Sequence, residues 1–425
     1  MADQSVRESE TQGFVDGLLE RFGFGLSRLG RRSLQHKGPM GEVYLSELIP
    51  NVLIVVLGSV VMWSASLTIS DASFPRHLSG IAIGVAAAAL VWAYDYRVFA
   101  GQATLLLVID VVLMLLPSVP GLGYNAMGMT GWVQIPLVGI RFQPSELAKP
   151  VTILLMAALT AQYNGRIETL RDYLRLCGVL CVPFLLILTQ PDLGTGLIVL
   201  VLGASIIVCG GAKRSWVLVT VGIIVVGAIV VVASSVTEGL PSILKQYQIN
   251  RLIVFVDPSV DPSGNGYNLQ QAKIAVGSGG IWGKGIGNAT QAGGGFLPEA
   301  HTDFVFALLA EEFGFVGSIL LLVLFGWMIL STVALALRVE SSFGRLVLAG
   351  VASMWAFQLL QNVGMCIGIM PITGIPLPFM SYGGSNMVTN IGGIGMVLNV
   401  TKNRSLAPTN ETINTPQRQA SSNSR

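Results

Sequence analysis

EFGFVGSILLLVLFGWMILSTVALAL, residues 312–337, decides the fold: after Glu312 no charged residue occurs until Arg338. A helix rises about 1.5 Å per residue, so about 20 such residues cross the roughly 30 Å hydrocarbon core of a bilayer. This stretch reads as a transmembrane helix. Stretches of similar character recur at residues 48–69, 78–94, 99–117, 146–163, 174–190, 193–210, 215–234, 344–368 and 385–400, giving ten in all. The fourth and tenth are the most diluted, the former by Glu146 and Lys149, the latter by Gly392, Gly393 and Gly395.

Composition agrees with that reading across all 425 residues. Charged residues make up 11%, against about 25% in ordinary soluble chains, while 52% are hydrophobic and the mean hydropathy is +0.67. The charges are also unevenly spread: 13 of 48 lie in residues 1–47 and 5 follow Thr401, leaving 30 for the 354 residues between. So few charges cannot solvate a surface of this size. The expected fold is an all-α polytopic integral membrane protein with about ten transmembrane helices. A net charge of +2 and the lack of any RNA- or DNA-reading motif exclude a nucleic-acid partner.

Sidedness follows from the basic residues. With both termini cytoplasmic, 18 of the 25 Lys and Arg residues fall inside, as the positive-inside rule requires. Residues 1–47 form a basic cytoplasmic tail without the apolar run of a cleavable signal, so the first span is expected to insert the chain. Phe14, Leu18, Phe22 and Leu26, with Arg21, Arg28, Arg31 and Arg32, suit a helix on an anionic inner leaflet; a tail that only fixes topology fits equally. Residues 48–400 form the membrane domain, and residues 401–425, rich in Ser, Thr and Asn, form a disordered cytoplasmic tail. Cys177, Cys181, Cys209 and Cys366 lie in or beside apolar runs without zinc-site spacing and read as packing residues. Two outer segments, 118–145 and the large extracytoplasmic loop 235–311 between spans seven and eight, are too long to be mere connectors, so the chemistry is expected on that face.

Polar groups at membrane depth are costly and each needs an account. Gln143-Pro144-Ser145-Glu146-Leu147-Ala148-Lys149 opens the fourth span, and Glu146 and Lys149 share a helix face at i, i+3. They read either as a structural ion pair or, with Arg141 just outside, as positive charge offered to an anionic lipid headgroup near a helix N-terminus. Thr189-Gln190-Pro191-Asp192-Leu193-Gly194-Thr195 forms an outer turn, with Asp192 placed to cap the next helix. Residues 277–285, GSGGIWGKG, fail the Walker pattern, because Ser278 stands where its first glycine belongs and Gly285 follows Lys284. They fit a backbone platform for a sugar or pyrophosphate, with Lys284 as its charge, or a flexible connector. Glu299, His301 and Asp303 converge within five residues at the membrane boundary, followed by apolar Phe304, Val305 and Phe306. That sequence aims Asp303 into a partly apolar cleft, the environment that raises a carboxylate toward a working base; solvated loop charges are the alternative. Asp110, deep in the third span, reads as hydrogen-bonded within the bundle. Residues 374–385, GIPLPFMSYGGS, include Ser381 and cannot form a continuous helix, so they pack near the outer face.

These stretches together resemble the SEDS proteins (shape, elongation, division and sporulation), the bacterial peptidoglycan polymerases that include RodA and FtsW. The motifs are FQPSELAK at 142–149, TQPDLGT at 189–195, GSGGIWGKG at 277–285, FLPEAHTDFVFALLAEE at 296–312 and PITGIPLPFMSYGGS at 371–385. The TGIPLPF form is more RodA-like than FtsW-like. The resemblance implies an inverting glycosyltransferase of the bacterial cytoplasmic membrane that polymerises lipid II and releases undecaprenyl diphosphate, serving elongation and rod shape. It implies Asp303 as the catalytic carboxylate and Glu146 and Lys149 as the family's polar pair of the fourth span; with that pair, the residue reading expects Arg141, Gln143, Ser145, Asp192, Lys284, Glu299, His301 and Ser381 as substrate-binding positions. It further implies a divalent cation (Mg2+ or Mn2+), no nucleotide cofactor, and as partners a class B penicillin-binding protein transpeptidase and other elongation-complex proteins. One departure stands out: Gly131-Trp132 replaces the family's usual Arg-Trp. A lipid-precursor flippase and a non-catalytic scaffold for a transpeptidase are the alternative functions for such a chain; a transporter would place its charges at the midplane, whereas these cluster outside.

Overall fold

The computed structural model describes residues 45–126, 129–134, 141–190, 192–236, 253–255, 257–262 and 264–403. All ten apolar stretches fall on helices. These are α1 Leu45–Thr68, α2 Phe74–Ala93, α3 Ala103–Leu115, α4 Pro144–Ala161, α5 Leu170–Thr189, α6 Leu193–Cys209 and α7 Arg214–Val236, then, after the loop helix α8 Asn265–Ser278, α9 Val305–Ala336, α10 Ser342–Ile367 and α11 Gly384–Lys402. Six of them, α1, α2, α5, α7, α9 and α10, are long and apolar enough to cross a membrane. The chain is a mostly helical, multi-pass membrane protein. The inner-leaflet helix and residues 404–425 of the expected C-terminal tail lie outside the described residues, as does Pro191, while Thr401 and Lys402, which the sequence assigned to that tail, instead close α11. All four cysteines are free thiols.

The outer segment 118–145 departs from the otherwise helical architecture. It carries a three-stranded antiparallel sheet in the order β1 Gly123–Ala126, β2 Met129–Gln134, β3 Arg141–Phe142. Its register pairs Gly123 with Val133, Val133 with Phe142 and Gln134 with Arg141. Tyr124, Trp132 and Val133 supply the β-favouring residues, and β3 leads directly into α4.

Where lipid removes the hydrophobic drive between helices, close packing of small residues holds them together. A Cβ built on Gly84 of α2 would lie 2.9 Å from Ile391 Cδ1, and one on Gly395 of α11 would lie 2.6 Å from the Ala88 carbonyl oxygen. Of the glycines that thinned the tenth stretch, Gly395 is therefore a contact surface and so is Gly393, whose built Cβ would lie 3.2 Å from the Trp355 ring, whereas Gly392 faces open space. Gly350 of α10 likewise receives Ile153 of α4 and Ile206 of α6, 2.8 and 2.9 Å from a built Cβ. By contrast α7 buries none of its apolar window and meets α5 through Trp216 and Thr220, which lie against Tyr173.

α9 starts at Val305, earlier than the apolar stretch suggested, and is broken at Gly314 (φ 66°, ψ −161°). The break frees backbone groups that residues 280–285 satisfy. Lys284 N and Gly285 N each donate over 3.0 Å to the carbonyls of Glu311 and Glu312, while Phe315 N and Val316 N donate to the carbonyls of Gly280 and Ile281 over 2.9 and 3.1 Å. A side chain at Gly314 would collide with Gly283 N, and one at Gly283 with the Glu312 carbonyl. The glycine-rich loop thus clamps backbone to backbone.

A candidate active site on the outer loops

The PEAHTD turn is built around Glu299, whose φ of 54° places it in the left-handed region. Its carbonyl accepts from Thr302 N, Asp303 N and Phe304 N at 3.2, 3.0 and 3.2 Å, and its carboxylate accepts from the Thr302 hydroxyl at 2.7 Å. Asp303 follows, half-buried, just before α9. Its backbone carbonyl accepts from Asn362 Nδ2 of α10 at 2.8 Å, and the same Nδ2 donates to the Ile375 carbonyl at 2.8 Å. Gly374 (φ 71°) brings its backbone against the carboxylate: a Cβ built there would be 3.2 Å from Asp303 Oδ2. Tyr382 N donates to the His301 carbonyl at 2.8 Å, and the two rings lie 5.3 Å apart. Asp303 therefore sits between two loops that are stapled together, with Asn362 holding both.

The loop 371–385 connects the remaining motifs. A Cβ on Gly194 at the start of α6 would be 2.8 Å from the Thr373 carbonyl. Ser385 Oγ accepts from Gln143 N at 2.9 Å. Gln143 Nε2 donates to Asp192 Oδ2 at 2.9 Å, Ser145 Oγ donates to the same oxygen at 3.5 Å, and Asp192 Oδ1 caps α6 by accepting from Thr195 N at 3.0 Å. Asp192 thus performs the expected cap and also ties α4 to α6. Ser381 is fully buried and its hydroxyl accepts from Leu377 N at 2.8 Å, closing the turn rather than facing outward.

The charged candidates divide by what they already hold. Lys149, 0% exposed, places Nζ 2.8 Å from each Glu146 carboxylate oxygen. Thr389 of α11 donates to the Glu146 carbonyl at 2.9 Å. Lys284 binds Glu311 at 2.6 Å and the Thr290 hydroxyl at 2.7 Å, and Glu311 also accepts from Thr290 N and Gln291 N at 2.8 and 3.0 Å. That ammonium holds the clamp. Arg141 is exposed and lies 4.0 Å over the Tyr124 ring. A second exposed guanidinium, Arg76 in the first turn of α2, donates to the Tyr382 hydroxyl at 3.2 Å. Asp110 accepts from the Thr152 hydroxyl at 2.9 Å, the intrabundle bond expected of it. Gly131 leaves room for a side chain, with Gln190 Oε1 3.6 Å from its built Cβ. Among the described residues no group of three His, Cys, Asp or Glu side chains is placed to hold a metal ion. The expected divalent cation thus has no preformed three-residue cage among the described residues.

His301 is nearly buried, and that burial holds its imidazole below the ordinary histidine value, although Glu299 and Asp71 pull the other way. The folded state then binds fewer protons than the unfolded one, so its stability is complete above about pH 6.5 and falls as acid protonates the unfolded chain. The melting temperature in detergent should drop more for wild type than for His301→Gln between about pH 7 and about pH 5. Equal drops would show that His301 does not set the acid limit.

Asn362 and Arg76 were not singled out by the sequence, and Tyr382 and Ser385 only as members of the 374–385 stretch. Asn362 and Ser385 carry no charge, so a search for charges in apolar helices passes over them.

The comparisons with known proteins match this arrangement. The model of the cell cycle protein family comprising FtsW, RodA and SpoVE matches residues 46–406. The peptidoglycan glycosyltransferase MrdB of Escherichia coli K12 is 34% identical over 362 residues, covering 84% of this chain and 94% of that protein. The rod shape determining protein RodA of Thermus thermophilus superposes with a TM-score of 0.61 at 29% identity, covering 84% of this chain and 96% of that one. A chain from a study of how a peptidoglycan synthase complex coordinates polymerisation and crosslinking superposes with a TM-score of 0.69 at 31% identity, covering 83% of this chain and 96% of its own. Proteins named FtsW also match, one at 29% identity over 377 residues. With the family model matching residues 46–406 and a relative 34% identical over 84% of the chain, the chain belongs to the FtsW/RodA/SpoVE family.

Proposed function

We propose that the chain is a peptidoglycan glycosyltransferase that polymerises lipid II on the outer face of the bacterial cytoplasmic membrane, with ten crossings and both termini inside. One observation carries the assignment of the site: the Asp303 carboxylate lies where the PEAHTD turn, the 371–385 loop and Asn362 meet. As the acceptor's GlcNAc 4-hydroxyl attacks the anomeric carbon of the donor's MurNAc, Asp303 takes the hydroxyl proton. The glycosidic bond forms with inversion, and the bond to undecaprenyl diphosphate breaks, its electron pair leaving with the diphosphate. The exposed Arg141 and Arg76 are the cations that favour this developing charge; Lys284 and Lys149 act by holding the scaffold. The lipid-linked donor carries its own leaving group, so no nucleotide is needed. The similarity to a chain studied within a synthase complex supports a class B penicillin-binding protein transpeptidase as partner, and the RodA-like relatives support an elongation role.

Reconstitution of the purified chain with labelled lipid II, with and without such a transpeptidase, tests the reading. Long glycan strands on a gel are expected. Lipid movement across vesicles without polymer would instead make the chain a flippase, and neither activity would leave a scaffold.

Within this reading Asn362 positions Asp303. Asn362→Leu keeps the volume and removes both donations, and should lower kcat by about 10-fold to 10²-fold, since small misplacements of a reacting group cost that much. The KM for lipid II should stay unchanged. Asn362→Asp, which sets an acceptor against two carbonyls, should be worse than Leu at neutral pH and recover as acid protonates it; a residue that merely fills space would show no such pH dependence.

A further inference from the structure

The clamp at Gly314 turns the apolar side chains of the glycine-rich loop outward. Trp282 is 80% exposed, and its neighbours Ile281 and Ile286 are exposed as well. They adjoin Leu67 at the outer end of α1, whose Cδ1 lies 3.8 Å from a Cβ built on Gly287. They also adjoin Phe315 and Val316 of α9, whose amides hold the carbonyls of Gly280 and Ile281. Leu67, Phe315 and Val316 are likewise exposed. Six apolar side chains thus share one surface at the outer ends of two membrane helices.

The charge pattern of the loop is one-sided too. Lys284 is the only charged residue in 277–287, and its ammonium turns inward to Glu311 and Thr290 at 2.6 and 2.7 Å. Below the loop the exposed apolar stripe continues through Ile319, Leu320 and Val323 of α9 and through Trp63 and Val56 of α1. The same surroundings that meet those stripes meet the loop above them. Because four backbone hydrogen bonds fix residues 280–285 to α9, the tip is a rigid wedge.

We propose that this surface is seated in the outer leaflet at the boundary between acyl chains and headgroups, with Trp282 as its interfacial anchor. Indole suits that depth, its apolar body resting on acyl chains while its N–H reaches headgroup oxygens. The occupant is lipid, as the unbroken stripe from α1 and α9 into the loop argues. The anchor sets the height of Asp303, because the loop is clamped to the first turns of α9 that follow it. The proposal rests on the chain crossing a membrane and is independent of the transferase reading.

Tryptophan fluorescence of the full chain in nanodiscs of phosphatidylethanolamine and phosphatidylglycerol tests it. The chain has seven tryptophans, so the signal of Trp282 is the difference between wild type and Trp282→Phe, a change that keeps an apolar tip and leaves the clamp intact. The expected difference spectrum is shifted to the blue of water-exposed indole and loses at least half its intensity when the lipids carry bromine just below the headgroup. Aqueous iodide should quench it far less. Stronger quenching by iodide than by brominated lipid would put the loop in water and overturn the proposal. Quenching by neither would mean that protein covers the surface, which overturns it equally.

Discussion

Asp303→Asn is expected to abolish polymerisation of lipid II by the purified protein, with a loss of at least about 10²-fold, the lower end of what a positioned general base supplies. The substitution is isosteric and its backbone anchors are untouched: the Asp303 amide still donates to Glu299 and its carbonyl still accepts from Asn362. Folding, copurification with a transpeptidase and binding of lipid II should therefore survive, so the loss falls on kcat. Full polymerisation by Asp303→Asn would remove the general base from the mechanism. That outcome is separable from a failure of the Asn362 assignment, in which Asp303→Asn is inactive while Asn362→Leu matches wild type.

The second large effect is expected at the buried pair. Lys149→Met alone strands the Glu146 carboxylate among buried side chains, and breaking a buried ion pair from one side typically costs about 3–5 kcal/mol. Lys149→Met should therefore unfold at lower temperature and express poorly. The double variant Glu146→Gln, Lys149→Met removes both charges and should regain most of that stability, since replacing a whole buried pair is often near neutral. Its activity then separates the two readings of the pair. Polymerisation close to wild type in the double variant assigns the pair to structure, as its full burial at the head of α4 indicates; a stable but inactive double variant would require the charge to act on substrate.

Much of this architecture was legible because lipid imposes strict terms on a sequence. Apolar length located α1–α7 and α9–α11, and the scarcity of charge drew attention to Glu146, Asp192, Glu299 and Asp303, which the structure places in the network tied together by residues 371–385 or beside it. What escaped was written in neutral residues or in distant partners. Asn362 performs two hydrogen bonds from within an apolar helix, yet an amide disturbs hydropathy too little to stand out. The glycines of 277–287 look like a ligand loop or a tether when read locally; their reason is the Gly314 break in a helix that follows later in the chain. Lys284 and Ser381 were right to attract notice as polar residues near the site, but the structure spends their polar atoms on Glu311 and Leu377. The small sheet escaped because its strands are two to six residues long, too short for an alternating pattern to show.

The staples on Asp303 also fix when, during synthesis, the site can exist. Asn362, Gly374 and Tyr382 all lie downstream of Asp303, on or beyond α10. A nascent chain that has already delivered Asp303 to the outer face still lacks every one of them until α10 has crossed and residues 371–385 have followed. An unfinished or truncated chain thus displays its key carboxylate without the framework that aims it. On the proposed reading, activity therefore waits on the completion of α10 and of residues 371–385.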